Sequence, residues 1–387
     1  MRKTLIGCLI LFLFVFFFVS TSSAHVNDIS FIERMILSAE HIVKKTNKGR
    51  AYSEYGAMPG VHTGCILCWA QSRFLDGYLD LYLLTKDEKW LRLFIQQARL
   101  AISQAENLPY HENGKGDTAR VWVTTSYTAG IPHAFLVHAT KIIKPFLRFA
   151  LIVRQNGLSS YTKDAMFFVE VSQKSFLYFG KDWRDSLHGL SGFVEENSVP
   201  SNLAGEFLPW NMQAAAGQVC ILLFDLTKES RFKKMAIKIA MSLKRHMEVK
   251  ENRLLWPYWT RLSGQRSRYD DIGHGSSVAE FIVLMHERSW VFDDKDINRL
   301  LNTFDDLIDD RRWLAYQQID GKGMLAFRPT LFLWAPLAQY SPTVCKKMVR
   351  VYMHSVPEDS VLYYFQPDYR GVMFQATTKL ATYCHSQ

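Results

Sequence analysis

Apolar residues recur at helical spacing along nearly the whole chain, while the period-two alternation of half-buried strands is scarce. That regularity confines the chain to an all-α architecture. The spacing predicts helices over Ile29–Thr46, Cys65–Leu84, Glu88–Glu106, His133–Arg154, Lys163–Gly180, Trp210–Leu226, Ser230–Val249, Ser276–Glu287, Lys295–Ile308, Leu325–Tyr340, Thr343–His354 and Met373–Cys384. Short polar turns join them in pairs, so paired helices run antiparallel. One turn recurs: Leu84-Thr85-Lys86-Asp87-Glu88-Lys89-Trp90 is matched by Leu226-Thr227-Lys228-Glu229-Ser230-Arg231-Phe232, an internal repeat. The other turns, near Asn156-Gly157, Trp290 and Ser341-Pro342, are too unevenly spaced for a strict solenoid. An array of about five to seven hairpins either stays open or closes into a ring whose mouth is lined by the loops before the inner helices.

The chain begins Met1-Arg2-Lys3, is apolar from Leu5 to Val19, and turns small and polar through Ser22 and Ala24. This pattern reads as a secretory signal peptide over residues 1–24, too short to favour an uncleaved membrane anchor. Residues 25–387 are then expected to form a single domain outside the cytoplasm, periplasmic or secreted. A formal charge of +9, lowered only slightly by losing Arg2 and Lys3, fits an acidic polysaccharide, an anionic surface or nucleic acid. The basic residues are scattered, so nucleic acid is disfavoured. After the leader there are Cys65, Cys68, Cys220, Cys345 and Cys384, an odd set that allows one or two disulfides and leaves a thiol over. Cys65-x-x-Cys68 has no βαβ context and no second pair of metal ligands, so buried or structural cysteines are expected.

The unusual residues gather in loops ahead of the inner helices. One runs from Tyr52 to His62. A second, Asn107–Pro132, carries His111, Glu112, Asp117, Arg120, Trp122 and Tyr127, and a third leads through Glu195, Glu196 and Glu206 to Trp210 and Asn211. The densest is Leu254-Leu255-Trp256-Pro257-Tyr258-Trp259-Thr260, followed by Tyr269-Asp270-Asp271-Ile272-Gly273-His274-Gly275 and an apolar helix. Asp270 to Gly275 thus falls at a helix N-terminus, where free N–H groups and the dipole favour an anion. The plain alternatives are that Asp271 caps the helix, that Asn211 caps its own, and that His274 is a core hydrogen-bonder. Rings beside hydrogen-bonding groups suit a sugar, whose faces stack on aromatics and whose hydroxyls need polar partners. Trp122, Trp210, Trp256, Trp259, Asp270 and His62 are the candidate substrate contacts, although any one tryptophan alone reads first as core.

The paired helices, the Leu-Thr-Lys-[Asp/Glu] turns, the Leu208-Pro209-Trp210-Asn211-Met212 start of one inner helix and the Asp271-Ile272-Gly273-His274-Gly275 start of another resemble the six-hairpin (α/α) toroid superfamily. That superfamily holds glycoside hydrolases, toroidal polysaccharide lyases and the helical domain of glucuronyl C5-epimerases. The resemblance implies a carbohydrate-active enzyme whose cleft is floored by inner-helix N-termini. It also implies an Asn, His and Tyr set like that of the toroidal lyases, matched here by Asn211, His274 and Tyr258.

Three functions are compatible with these residues. A lyase or epimerase acting on a uronate-containing polysaccharide would use Asn211 on the carboxyl, His274 as base and Tyr258 as acid. A glycoside hydrolase would pair two carboxyl groups among Glu195, Glu206, Asp270 and Asp271, one with a raised pKa. A non-catalytic toroid would bind glycan or protein and turn nothing over. No cofactor or metal is expected: His133 and His138 do not share a helix face, and His111-Glu112 lacks the second histidine of a zincin helix. No phosphate loop, dinucleotide fingerprint or nucleophile elbow occurs. Arg148 and Arg154, on a strongly apolar helix, read as snorkelling side chains.

Overall fold

A computed structural model describes residues 31–46, 63–112, 115–187, 189–197, 201–356 and 367–385. Its helices are α1 Phe31–Thr46, α2 Ser72–Thr85, α3 Lys89–Ser103, α4 Leu136–Gln155, α5 Thr162–Leu177, α6 Trp210–Thr227, α7 Ser230–His246, α8 Ile272–His286, α9 Asp294–Asp305, α10 Pro342–Ser355 and α11 Pro367–Cys384. A 3₁₀ helix spans Pro329–Gln339 and takes the place of the expected Leu325–Tyr340 α-helix. Pro336 inside it bears on the change, since it lacks an N–H for an α-helical ladder, whereas Pro329 sits at the first position, where none is needed.

The repeated turn is one structure used twice. Thr85 and Thr227 each return a hydroxyl bond to the carbonyl one turn back, at 2.7 and 2.8 Å, and each accepts the backbone N–H two residues on, from Asp87 and Glu229. Between them Lys86 and Lys228 sit at φ 58° and 63°, the left-handed stop that ends α2 and α6.

Helices α6 and α8 are apolar all round and nearly fully buried, whereas α7 and α9 carry one apolar and one charged face. The first kind lines an inner ring and the second covers it. Around the ring α2 neighbours α4, α4 neighbours α6, α6 neighbours α8, α8 neighbours the 3₁₀ helix, that helix neighbours α11, and α11 returns to α2. The outer partners are α3, α5, α7, α9, α10 and, against α11, α1. The first and last described helices therefore form the sixth hairpin and close an (α/α) toroid. Backbones approach closely where glycine permits it: a Cβ on Gly217 would lie 2.5 Å from the Phe281 ring of the adjacent inner helix.

Short antiparallel strands decorate one end. Glu106–Glu112 (β1) pairs with Lys115–Val121 (β2), and Val123–Thr124 (β3) with His133–Ala134 (β4). Trp183–Leu187 (β5) pairs with Leu190–Phe193 (β6), and Glu248–Lys250 (β7) with Arg253–Leu255 (β8). Part of the expected loop Asn107–Pro132 is thus a hairpin, and His133 lies in a strand ahead of α4 rather than within it.

Cys345 and Cys384 form a disulfide tying α10 to α11, and Cys65, Cys68 and Cys220 are free. Residues 1–24 and His62 lie outside the described residues. Among the described ones no helix is long and apolar enough to cross a membrane.

Charged side chains of the inner helices meet inside the ring. Arg148 of α4 bonds Asp76 at 2.6 Å and Asp80 at 2.7 Å on α2, so it is an interior ion-pair partner rather than a snorkelling side chain. Glu280 of α8 sits between Lys144 (2.6 Å) and Lys379 (2.8 Å). Gln375 of α11 reaches Asp76 at 2.8 Å. Arg154 is exposed, bonded to the Asp225 carbonyl.

Candidate active site

A cavity of about 390 Å³ opens among the inner-helix N-termini, lined by residues of α2, α4, α6, α8, the 3₁₀ helix and α11. One wall is the start of α8. Asp271 is the N-cap: Oδ1 accepts the Gly273 and His274 backbone N–H groups at 2.8 and 3.0 Å. Its Oδ2 meets His274 Nδ1 at 2.5 Å. The plain reading of Asp271 as a helix cap therefore holds, and the same carboxylate also holds the His274 ring. Burial works against charge on His274, but the hydrogen bond and charge of Asp271 prevail and hold its pKa above the ordinary 6.5. Asp271 is held correspondingly low, its burial outweighed by His274. The His274 side chain remains 42 % exposed, so its free nitrogen is within reach of a ligand.

Tyr258 lies beside this pair, its ring 5.2 Å from the His274 ring. Burial, reinforced by Asp270 and Asp271, pushes its phenol up to about 12, so it stays a proton donor. Asn211, in the first turn of α6, lines the cavity and is 2 % exposed, and its Oδ1 has no hydrogen-bond partner. The cap position before it is Pro209, so Asn211 is not the N-cap that its place suggested.

The loops around 206–211 and 256–274 converge. The Trp210 N–H donates to the Tyr258 carbonyl at 3.1 Å, Trp210 Nε1 to Thr260 Oγ1 at 3.2 Å, and Trp259 Nε1 to the Phe207 carbonyl. Their tryptophans, however, brace the wall from behind. Trp122, Trp210 and Trp256 are at most 1 % exposed and Trp259 is 8 %, and each indole N–H bonds inside the protein. They are core, which corrects the expectation that they touch substrate, and the reason is their size: large rings fill the space between ring and loops.

Asp270 is fully buried, accepting from Trp256 Nε1 at 3.0 Å and from the Asp271 N–H at 2.9 Å. Burial pushes its carboxyl up to about 7 against the pull of His274. It supports the dyad from behind and does not face the cavity. Glu206 also lies off the cavity wall, bonded to the Leu262 N–H at 3.1 Å and to Arg261 at 3.4 Å. Atoms of Asp270, Asp271 and His274 fall within 4.8 Å of one another, but both carboxylates and His274 Nδ1 are already committed to hydrogen bonds. No metal is assigned to them.

The aromatic wall is Trp69 and Tyr127 instead. Trp69 belongs to a π-helical turn, Leu67–Gln71, just before α2, a widening of the helix common at functional sites. Tyr127 is 66 % exposed at the mouth with a φ of 70°, a strained conformation for a non-glycine residue. Beneath them lie Arg73, Lys141, Lys144 and Lys379. Sequence reasoning passed over these cations because each sits on an apolar helix. The available signal was their spacing: Lys141, Lys144 and Arg148 recur along one face of α4, as Arg73, Asp76 and Asp80 do on α2.

No family model and no curated protein sequence matches the chain significantly. Solved structures do match in fold. A family-76 glycoside hydrolase, an α-mannanase of Bacteroides thetaiotaomicron, superposes with a TM-score of 0.59 at 11% identity, covering 92% of this chain and 97% of that one. An inactive variant of an α-1,6-mannanase of Salegentibacter sp. HEL1_6, with two adjacent aspartates replaced by alanine and α-1,6-mannotetrose bound, gives 0.57 at 12%, covering 92% and 99%. A D-mannose isomerase gives 0.56 at 13%, covering 90% and 97%. The chain has the six-hairpin toroid fold. At these identities the likeness is one of fold, and activity must be argued from the site.

Proposed function

We propose that the protein is an exported carbohydrate-active enzyme that abstracts the proton α to the carboxyl of a uronic acid in an acidic polysaccharide, leading to elimination or epimerisation. The observation that carries this reading is the Asp271–His274 dyad opening into a cavity lined by Arg73, Lys141, Lys144 and Lys379. His274 takes the C5 proton while Asp271 fixes its tautomer and stabilises the imidazolium. The Asn211 side-chain N–H donates to the carboxyl, whose charge grows as the proton leaves. In elimination the C5–H electron pair becomes the C4=C5 bond, the C4–O4 bond breaks, and Tyr258 protonates O4. The phenolate is then reprotonated from His274. In epimerisation C4–O4 stays intact, Tyr258 gives its proton to the opposite face of C5, and the phenolate is reprotonated from His274. The Cys345–Cys384 disulfide supports an oxidising compartment, hence export.

Hydrolysis is the second reading. It is favoured by the mannanase fold and by the adjacent pair Asp270–Asp271, since the Salegentibacter enzyme is inactive when two adjacent aspartates are replaced. Inverting hydrolysis needs a protonated carboxyl on the sugar. The carboxyls lining this cavity are Asp76, Asp271 and Glu280, all held low by their cationic partners although burial opposes it. Asp270, raised to about 7, is sealed behind them.

A panel of acidic and neutral polysaccharides decides. New C4=C5 absorbance supports elimination, and deuterium uptake at C5 without absorbance supports epimerisation. Reducing ends with neither would overturn both in favour of hydrolysis. Glycan retention without turnover would leave a binding toroid.

A further inference from the structure

Of the four cations lining the cavity, two are ion-paired and two are not. Lys144 and Lys379 share Glu280. Arg73 donates from Nε to the Trp69 carbonyl and from Nη1 to Gln375 Oε1, both at 3.1 Å, and Lys141 donates to Ser277 Oγ at 3.2 Å. All three acceptors are neutral, and among the described residues neither cation has an ion pair. Two part-buried positive charges facing one polar cavity repel each other and lose hydration, an arrangement that a bound anion relieves. Asn211 lines the same cavity, and its unpartnered Oδ1 is an acceptor left over for a hydroxyl of the sugar bound there.

The cavity is also blind. One turn deeper, the axis of the ring is filled by Asp76 and Asp80 on Arg148 and by Lys144 and Lys379 on Glu280, so no polymer threads past that level.

We propose that Arg73 and Lys141 form the seat for the carboxylate of the uronic acid at the reducing end of the chain, so that the enzyme shortens its substrate from that end. This inference rests on the proton-abstraction reading above. The held residue turns its C5 to His274 and its C4–O4 bond to the mouth, where Trp69 and Tyr127 flank the next sugar. Elimination then breaks C4–O4, forms C4=C5 in the held residue, and protonates O4 of the departing chain, which is left one residue shorter with a new reducing end. The product is a 4,5-unsaturated monouronate.

The test has two arms. In the first, D-glucuronate, D-glucose and glucose 6-sulfate are titrated calorimetrically into the wild type, Arg73→Gln, Lys141→Met and Lys141→Arg. Glucuronate is expected to bind, glucose not to bind at the same concentrations, Arg73→Gln and Lys141→Met to weaken binding at least tenfold, and Lys141→Arg to retain it within a few-fold. Tighter binding of the sulfate than of glucuronate, or unweakened binding by both neutral variants, overturns the seat. In the second arm, oligouronates labelled at the reducing end are digested. Early release of labelled monomer is expected, and an early ladder of internal fragments overturns end-wise action. The two readings fail separately. Seat variants that lose glucuronate binding, beside a wild type that neither unsaturates nor exchanges any acidic chain, sink proton abstraction and keep the anion site. Turnover unaffected by Arg73→Gln and Lys141→Met sinks the seat and keeps proton abstraction.

Discussion

Asp271 and His274 are bound twice over, backbone to side chain at 3.0 Å and ring to carboxylate at 2.5 Å, three residues apart on the first turn of α8. The helix that presents the histidine is thus started by the same group that orients its ring. Asn caps a helix about as well as Asp. Asp271→Asn is therefore expected to leave thermal stability within a few degrees of wild type while turnover falls about 10²- to 10⁴-fold, the range for a lost acid–base contribution. Paired melting curves and rates check this, and an unimpaired rate would remove the dyad from the mechanism.

The pH dependence of kcat/KM should be bell-shaped. His274 must be neutral to accept a proton, and with its pKa raised the acid limb lies above the ordinary 6.5. Lys141 is faced by Lys144, Arg73, Glu280 and Cys68. Burial first, and then the neighbouring cations, lower it to about 8, so activity that needs its charge declines above that pH. Lys141→Arg should remove the alkaline limb and leave the acid limb in place.

Truncating Arg148 leaves Asp76 and Asp80 buried without their cation. Removing one partner of such a pair costs on the order of 3–5 kcal/mol. The urea midpoint of Arg148→Met should fall accordingly, and an unchanged midpoint would mean that water or a neighbouring cation replaces it.

Acid should loosen the same interior. The carboxyls of Asp76 and Glu280 lie below their ordinary values because the surrounding cations outweigh burial. A carboxyl depressed on folding stabilises fully above its unfolded pKa, about 4, and that contribution is lost as pH falls through the folded value. Denaturant midpoints should rise between pH 7 and 5, where the buried Asp270 carboxyl, raised to about 7, takes up its proton, and drop below about 4.

Reduction of Cys345–Cys384, which closes a separation of 39 residues, removes up to about 4 kcal/mol in the chain-entropy view. A melting temperature insensitive to reductant would show that α10 and α11 are held by packing alone.

The helices, the repeated turn and the start of α8 were legible because each is a local matter: period, a Thr-Lys stop, an Asp three residues before His. The β1–β2 hairpin was not, since Glu-Asn-Leu-Pro-Tyr-His-Glu lacks both alternation and β-branched residues. Arg148 was misread because burial of a charge is decided by its partners, and Asp76 and Asp80 lie on another helix. The tryptophans were placed on the wall because composition shows where rings cluster but not which way they face. The cations of the cavity escaped for the same reason as Arg148.

Gln375 bridges Asp76 and Arg73 across almost the whole length of the sequence, because α11 is wedged between α2 and the 3₁₀ helix. Synthesis delivers that keystone after every other element described here. Until it docks, the arch has two raw apolar edges and lacks Gln375 and Lys379 of the cavity wall, so a folding helper that shields those edges would be needed until α11 closes the ring.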